Sequence, residues 1–189
     1  MAWIARNGYL SAAETAGNAQ EAAYFFLSQG WTKNAISAML GNMQGESGIN
    51  PGIWENLTPY AGGYGLTQWT PYTKLSDWAD NLGYTWLANG PTQCKRIDYE
   101  SLNNLQWFYN SEIGMAPPIT FTQFAVSTLP VATLTNYFLW FYEHPADPGA
   151  TTQAIRQGYA QNWYNTLDWT GGGSLPVWML FKFRRLFNA

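Results

Sequence analysis

The sequence has few charged residues, one cysteine and one histidine, and each scarcity excludes a kind of site. Charged residues make up 11% of the 189 positions and the net charge is −3, so the basic surface that nucleic-acid binding requires is missing. A single cysteine, Cys94, can form neither an internal disulfide nor a cysteine metal cage. A single histidine, His144, cannot build a histidine metal site, and a Ser-His-Asp triad would have to include it. We therefore expect no metal, no cofactor and no nucleic-acid partner.

Long apolar runs are also missing. No stretch approaches the roughly 20 apolar residues that span a bilayer, so we expect no transmembrane segment. The start, "MAWIARNGYLSAAE", lacks the apolar region of a secretory signal peptide. If the protein works outside a cell, we expect it to leave by another route. The length suits one domain with a substantial core and a short appendage.

Aromatic residues, in contrast, are abundant. The chain contains 11 Trp, 12 Tyr and 10 Phe, which together make up 17% of its residues. This is more than core filling alone comfortably explains, and flat amphipathic rings line clefts that hold polar ligands such as sugars. A Trp-rich core with Tyr at its margin nevertheless accounts for most of these rings.

The spacing of apolar residues predicts a mostly helical, α+β fold. Predicted helices cover residues 11–30, 32–46, 70–83, 92–109, 130–143 and 152–167, with a further capping box in "TFTQF" at 120–124. The first helix has two candidate caps, Ser11 and Asn18. Between residues 47 and 70 the helical period vanishes, and glycines and a proline separate short aromatic pieces. This residue pattern predicts loops and a small β-hairpin beside the helices.

The C-terminal end differs from the rest of the chain. After Asp168, "TGGGS" predicts a flexible linker, and "LPVWMLFKFRRLFNA" is both apolar and basic. We therefore divide the chain into a domain at 1–168 and a segment at 169–189. That segment is either an interfacial or partner-docking helix or the start of a further module.

One carboxylate stands where an apolar helix ends. Glu46 follows the apolar stripe of the second predicted helix, and "SGINPG" then turns the chain sharply. Burial beside apolar groups and the negative end of a helix dipole both raise the pKa of a carboxyl group. Glu46 is therefore a candidate general acid, although a helix-terminal glutamate that simply reaches solvent would give the same pattern.

A second motif follows about twenty residues later. In "GGYGLTQWTP" the glycines allow close approach of the backbone to a ligand. Gln68 offers an amide, and the rings of Tyr64 and Trp69 offer flat faces. We predict that these residues and Trp54 line sugar-binding subsites. A plain hairpin around a buried Trp is the alternative interpretation.

The two motifs together, "GESGINPGIWE" and "GYGLTQWTP", resemble the signature of the bacteriophage tail-tip lysozymes. These belong to the lysozyme-like superfamily, with goose-type lysozymes and lytic transglycosylases. In that superfamily a Glu-Ser pair at a helix end is followed by Gly-Leu-X-Gln, matched here by Glu46 with Ser47 and by residues 65–68. The similarity extends to "NGYL", "SQGWTKNAISAMLGNM" and "FLWFYEHPADP", and so covers roughly residues 7–167.

The resemblance implies a lysozyme-like fold with a small β-hairpin region beside a helical lobe. It implies cleavage of the β-1,4 bond between N-acetylmuramic acid and N-acetylglucosamine in peptidoglycan, with Glu46 as the catalytic acid and Gln68 and Trp69 in the sugar-binding region. The expected setting is the phage virion, whose tail opens the host wall locally during DNA delivery. Expected partners are glycan strands and other tail proteins, the latter through residues 169–189.

A second catalytic carboxylate is harder to predict. Two-carboxylate glycosidases separate the groups by about 5 Å or by about 6.5–9.5 Å, depending on stereochemistry. The candidates are Glu55, Asp77, Glu143 and Asp147. Glu143 repeats the setting of Glu46, because it ends an apolar helix before "HPADP", but a structural role is an equal alternative.

Three other functions remain open from the sequence. A lytic transglycosylase would use Glu46 as both acid and base and close an anhydro ring without water. A non-catalytic wall-binding module would need only the aromatic residues. A structural tail-tip component could share the fold without the activity.

Overall fold

The computed structural model describes residues 2–145 and 147–170, and most of these residues are helical. The α-helices are α1 (Ala12–Ser28), α2 (Lys33–Ser47), α3 (Thr73–Asn81), α4 (Gly90–Leu102), α5 (Phe121–Ala125), α6 (Val131–Phe138) and α7 (Ala150–Thr166). A 3₁₀ turn spans Glu55–Leu57, and a π-helical turn, Leu139–Glu143, continues α6. Within this part of the chain, no helix is long and apolar enough to cross a membrane.

Side-chain caps fix several helix starts where the sequence predicts them. Ser11 forms a capping box with Glu14 at the start of α1, which decides between the two candidate caps. Thr32 caps α2 by accepting a hydrogen bond from the Ala35 N–H. Thr120 forms the predicted capping box at α5. Asn18, the other candidate cap of α1, lies within that helix, and its amide donates to the carbonyl oxygens of Ile4 and Ile49.

Helix α2 lies at the centre of the fold. All nine residues from Ala35 to Met43 are buried, so α2 is enclosed on every face instead of along one stripe. It packs mainly against α7 and α6, and also against α1. Because the middle of α2 is enclosed, its C-terminal turn is the place where it can present a side chain to a cleft. That turn carries Glu46.

A cluster of aromatic rings fills the core on the α5–α6 side. The Trp107 ring stacks on Phe121 with centroids 4.7 Å apart, and Trp107 also contacts Phe124 and Phe138. Its indole N–H donates to the Ile119 carbonyl oxygen at 2.8 Å. The predicted Trp-rich core accordingly accounts for these rings.

The predicted β-hairpin in residues 47–70 is wrong. The described residues of this segment form only isolated antiparallel pairs, Trp54 with Tyr64 and Tyr64 with Trp69. Residues with positive φ interrupt any extended strand here, because the left-handed conformation breaks the alternation of a strand. They are Gly48, Ile49, Asn56, Leu57, Tyr60, Gly62, Gly65 and Gln68.

Two predicted helix boundaries are also wrong. Helix α4 ends at Leu102 and not at 109, because Asn104 takes a positive φ and its side chain accepts a hydrogen bond from the Phe121 N–H. Helix α3 begins at Thr73 without a side-chain cap. Thr70, the predicted cap, instead donates its hydroxyl to the Gln68 carbonyl oxygen.

The end of the domain packs against α1. The Gln20 side chain on α1 accepts a hydrogen bond from the Asp168 N–H and donates one to the Asp168 carbonyl oxygen. The indole N–H of Trp169 donates to the Tyr164 carbonyl oxygen. The predicted linker and docking segment fall mostly on residues 171–189, which lie outside the described residues. The boundary at 168 therefore stays a prediction.

Candidate active site

Glu46 occupies the last turn of α2. The helix ends at Ser47, and Gly48 follows in the left-handed conformation with its N–H bonded to the Gln44 carbonyl oxygen. The Glu46 side chain retains 23% of its exposure, whereas Met43 one turn earlier is fully buried. The carboxyl group therefore lies at the edge of the core, partly exposed to solvent.

Arg156 of α7 holds the Glu46 carboxyl group. Its Nη2 lies 2.5 Å from Glu46 Oε1, and its Nη1 donates to the Asn42 carbonyl oxygen at 2.6 Å. Burial raises the pKa of Glu46 above its ordinary value, and the positive charge of Arg156 opposes that shift. The negative charge of Glu55 adds to the rise. Burial has the largest effect, so the balance favours the protonated acid more than in water.

Ser47 joins α2 to the second motif. Its hydroxyl donates to the Leu66 carbonyl oxygen at 2.8 Å. The Leu66 N–H donates to the Gln93 side chain at 2.9 Å, so the Leu66 peptide groups are held from both sides. Gly65 is required here because it takes a positive φ and because a Cβ would lie 2.4 Å from the Gln93 amide oxygen. The Glu-Ser pair and the Gly-Leu-X-Gln segment are therefore neighbours in space.

Gln68 lies at the partly exposed end of that segment. It takes a positive φ, and its amide N–H₂ donates to the carbonyl oxygens of Gly65 and Ile53 at 3.0 and 3.3 Å. These bonds use the donors of the side chain to brace the loop. The amide oxygen is the atom that this arrangement leaves for accepting a hydrogen bond from a ligand.

The three aromatic residues predicted to line sugar subsites are buried. The exposed fractions are 4% for Trp54, 0% for Tyr64 and 3% for Trp69. Tyr64 packs on Trp54 with ring centroids 4.2 Å apart, and its hydroxyl accepts the Ala88 N–H. Rings that are enclosed to this degree pack beneath the loop and support it from the core side. Tyr60, which the sequence analysis did not single out, contacts Trp54 and is 61% exposed.

Trp69 is anchored by a buried carboxylate. Glu100 of α4 is fully buried and accepts hydrogen bonds from Arg96 Nε at 2.8 Å, Tyr142 Oη at 2.5 Å and Trp69 Nε1 at 3.3 Å. Burial raises the pKa of Glu100, and the charge of Arg96 opposes that rise. This network connects α4, the loop and the π-helical turn.

Glu143 lies at the end of the π-helical turn, electrostatically coupled to Glu46. Burial raises its pKa well above the ordinary value, and the negative charge of Glu46 adds to the rise, while Arg156 opposes it. Its Oε1 atom is buried and makes no hydrogen bond among the described residues. The structural alternative expected bonds to the backbone around "HPADP", and this oxygen makes none. A protonated carboxyl group fits such surroundings better than an ionised one.

The titration of Glu143 predicts a pH-dependent stability. The unfolded chain releases this proton near a pKa of about 4.3, whereas the folded chain retains it to higher pH. Above about pH 4.3 the folded state thus binds more protons, so the free energy of unfolding falls as pH rises toward the folded pKa. Glu143→Gln cannot titrate, so its free energy of unfolding should fall less over this pH range than that of the parent. The expected difference is about 1.4 kcal/mol for each pH unit between the unfolded and folded pKa values.

Urea unfolding at several pH values between about 5 and 8 measures this slope. Glu112→Gln removes an exposed carboxyl group and serves as the matched control, because it should keep the parent's slope. A Glu143→Gln slope equal to those of the parent and the control would contradict the assignment of a buried, protonated Glu143.

Arg156 is the site residue that the sequence analysis missed. It is the only charged residue within α7, and it is 8% exposed. A buried arginine with no acidic neighbour on its own helix must pair with a carboxylate elsewhere, which was a usable signal. Asp77 and Asp147, two of the candidate second carboxylates, are exposed, and neither is among the charges that shift the pKa of Glu46.

Within residues 2–145 and 147–170, no three His, Cys, Asp or Glu residues are grouped so that they could hold a metal ion. The phage tail lysozyme family matches residues 17–167 of the chain, a range that includes Glu46, Gln68 and Glu143. The chain belongs to the phage tail lysozyme family. Membership indicates a lysozyme-like domain.

The chain is similar to "Morphogenesis protein 1" of Bacillus phage B103. The two sequences are 45% identical over 177 residues, which cover 93% of this chain and 45% of the relative. The chain therefore spans less than half the length of that relative.

Proposed function

We propose that this phage tail lysozyme hydrolyses the β-1,4 bond between N-acetylmuramic acid and N-acetylglucosamine, with Glu46 as the proton donor. The observation that supports the proposal is the position of Glu46 at the partly exposed edge of the core, where burial raises its pKa. The adjoining Gly65–Gln68 loop, bonded to Ser47, supplies the wall of a cleft beside the acid.

Glu46 gives its proton to the glycosidic oxygen as the bond to the sugar breaks. This transfer requires the acid form, which burial favours by raising the pKa of Glu46. The amide oxygen of Gln68 accepts a hydrogen bond from a hydroxyl or acetamido group of the substrate. We assign Trp54, Tyr64 and Trp69 to the same binding region; their burial favours support of the loop, with Tyr60 as the exposed ring above Trp54.

Glu55 suits the role of second carboxylate better than Glu143. A base or an electrostatic partner must be ionised, and the surroundings of Glu143 oppose ionisation. Glu55 is exposed, its Oε2 accepts the Gly63 N–H at 2.8 Å, and its negative charge reaches Glu46. We therefore propose that Glu55 acts on the side of the bond from which water attacks. Glu143, a residue that is only partly buried, would support Glu46 through the electrostatic coupling between the two carboxyl groups.

The two carboxylates predict opposite results on substitution by glutamine. Glu55→Gln should lower the rate of wall clearing by about 10²-fold, with an unchanged melting temperature, because it removes the ionised partner. Glu143→Gln should retain most of the rate, because it replaces one neutral group with another. Asp77→Asn, an exposed carboxylate on α3, is the matched control and should equal the parent. The opposite ranking, with Glu143→Gln inactive and Glu55→Gln active, would transfer the role to Glu143.

The phage setting rests on the relative, which is named a morphogenesis protein of a Bacillus phage. We propose that the chain is part of a virion tail and opens the host wall locally during DNA delivery. Other tail proteins would be its partners in that assembly.

Clearing of purified peptidoglycan tests the proposed activity directly. A zymogram or a turbidity assay with the purified chain should show lysis, and a binding module without catalysis would show none. A lytic transglycosylase would also clear the wall, but its products would carry anhydro ends.

A further inference from the structure

Arg156 reaches Glu46 by lying across a glycine. If Gly45 carried a Cβ, that atom would lie 1.3 Å from Arg156 Nη1 and 1.9 Å from its Cζ. No repositioning of a few tenths of an ångström could relieve such an overlap. The guanidinium group therefore occupies the space that a side chain at position 45 would fill.

A second glycine brings the two helices together one turn earlier. A Cβ on Gly41 would lie 2.6 Å from the Ala160 Cβ and 2.6 Å from the Arg156 carbonyl oxygen. The backbones of α2 and α7 thus approach closely at Gly41. This approach lets a side chain from α7 reach over α2 to the residue after Gly45.

The guanidinium group is fixed at two points. Nη1 donates to the Asn42 carbonyl oxygen, and Nη2 donates to Glu46 Oε1. Arginine carries only donors and stays charged, so it can bond only to an oxygen that acts as an acceptor. Glu46 Oε1 is therefore the acceptor oxygen, and the proton of the acid form belongs on Oε2.

We propose that Gly45 and Arg156 form a clamp that orients the Glu46 carboxyl group and sets the pH range in which it holds its proton on Oε2. Arg156 is a positioning residue in this proposal, and Gly45 is the opening that admits it. The proposal rests on the proposed function, because it assigns the clamp to the acid of that reaction.

Three charged groups act on the titration of Glu46. Arg156 of α7 favours the ionised form, whereas Glu55 of the 3₁₀ turn opposes it. Glu143 of the π-helical turn is coupled to Glu46 and also opposes ionisation when it is itself charged. Displacing the guanidinium group removes the only one of these charges that lowers the pKa of Glu46.

Gly45→Ala tests the clamp without changing any ionisable group. The added methyl group should displace the guanidinium group, so the Glu46 carboxyl should titrate at higher pH in ¹³C NMR. The alkaline limb of the pH–rate profile should move to higher pH, since Glu46 works protonated. The loss of orientation should lower kcat by at least about tenfold while KM changes little.

Gly158→Ala is the matched control. Gly158 lies on α7 two residues from Arg156, and a Cβ there would meet no atom within 4 Å. This variant should keep the parent's titration and rate. Arg156→Met is a second test, because it removes the positive charge without adding a side chain at position 45. Arg156→Lys puts a positive charge back and should restore part of the parent's titration. If Gly45→Ala does not fold, Arg156→Met decides by the same two measurements.

The outcomes separate the clamp from the proposed function. A Glu46 titration that is the same in Arg156→Met, Gly45→Ala, Gly158→Ala and the parent would overturn the clamp, whatever the activity. If the Glu46 titration shifts in these variants but the parent protein clears no peptidoglycan, the clamp is supported and the proposed function is overturned. A lowered melting temperature with an unmoved titration and alkaline limb would indicate a purely structural contact and would also overturn the clamp.

Discussion

Replacing Glu46 with glutamine is expected to lower the rate of peptidoglycan cleavage by about 10²–10⁴-fold, the usual effect of losing a general acid. Glutamine has nearly the same shape, and its amide oxygen can still accept a hydrogen bond from Arg156 Nη2. It has no proton to give to the leaving oxygen. The loss should therefore appear in the rate while the fold is retained.

Turbidity clearing measured beside circular dichroism separates these effects. Glu112→Gln, which changes an exposed carboxyl group in the same way, should clear peptidoglycan at the parent's rate. A folded Glu46→Gln protein that works within a few-fold of the parent would end the assignment of Glu46 as proton donor.

Removing Arg96 is expected to cause the largest loss of stability. Arg96 is the cation beside Glu100, whose side chain is fully buried. Arg96→Met leaves that carboxyl group without its charge partner, and breaking a buried pair in this way costs about 3–5 kcal/mol. For a chain of this size each kcal/mol lowers the melting temperature by roughly 2–4 °C.

The double variant Arg96→Met with Glu100→Gln is the informative control. It removes both charges, so it should recover much of the free energy of unfolding that Arg96→Met loses. Trp69 donates to Oε1 and Tyr142 to Oε2 of Glu100, so a glutamine oxygen at the Oε1 position still accepts from Trp69, and its NH₂ group can donate to the Tyr142 hydroxyl. A double variant no more stable than Arg96→Met would show that the ion pair is not the cause, and lost packing of the arginine stem would then explain the result.

Local signals predicted the helical part of the fold well. The caps Ser11, Thr32 and Thr120 depend on residues three positions apart, and each is confirmed. The position of Glu46 at the end of an apolar helix is also a local property of α2, and it is confirmed. Such features need no knowledge of distant residues.

Features that depend on distant residues were predicted poorly. Helix α4 stops early because Asn104 bonds to Phe121, seventeen positions away. The pairing of Arg156 with Glu46 spans 110 positions and depends on the space that Gly45 leaves for the guanidinium group. The burial of Tyr64 likewise results from packing against Trp54 and Trp86. The motif "GGYGLTQWTP" by itself does not distinguish a ring facing a cleft from a ring beneath it.

The most direct test of the account is mass spectrometry of the fragments released from purified peptidoglycan in ¹⁸O-labelled water. Hydrolysis of the bond after N-acetylmuramic acid predicts fragments with a reducing N-acetylmuramic acid end that carries one ¹⁸O atom. Their release should be lost in Glu46→Gln. Unlabelled anhydro ends, labelled N-acetylglucosamine ends, or no released fragments at all would each contradict the proposed reaction.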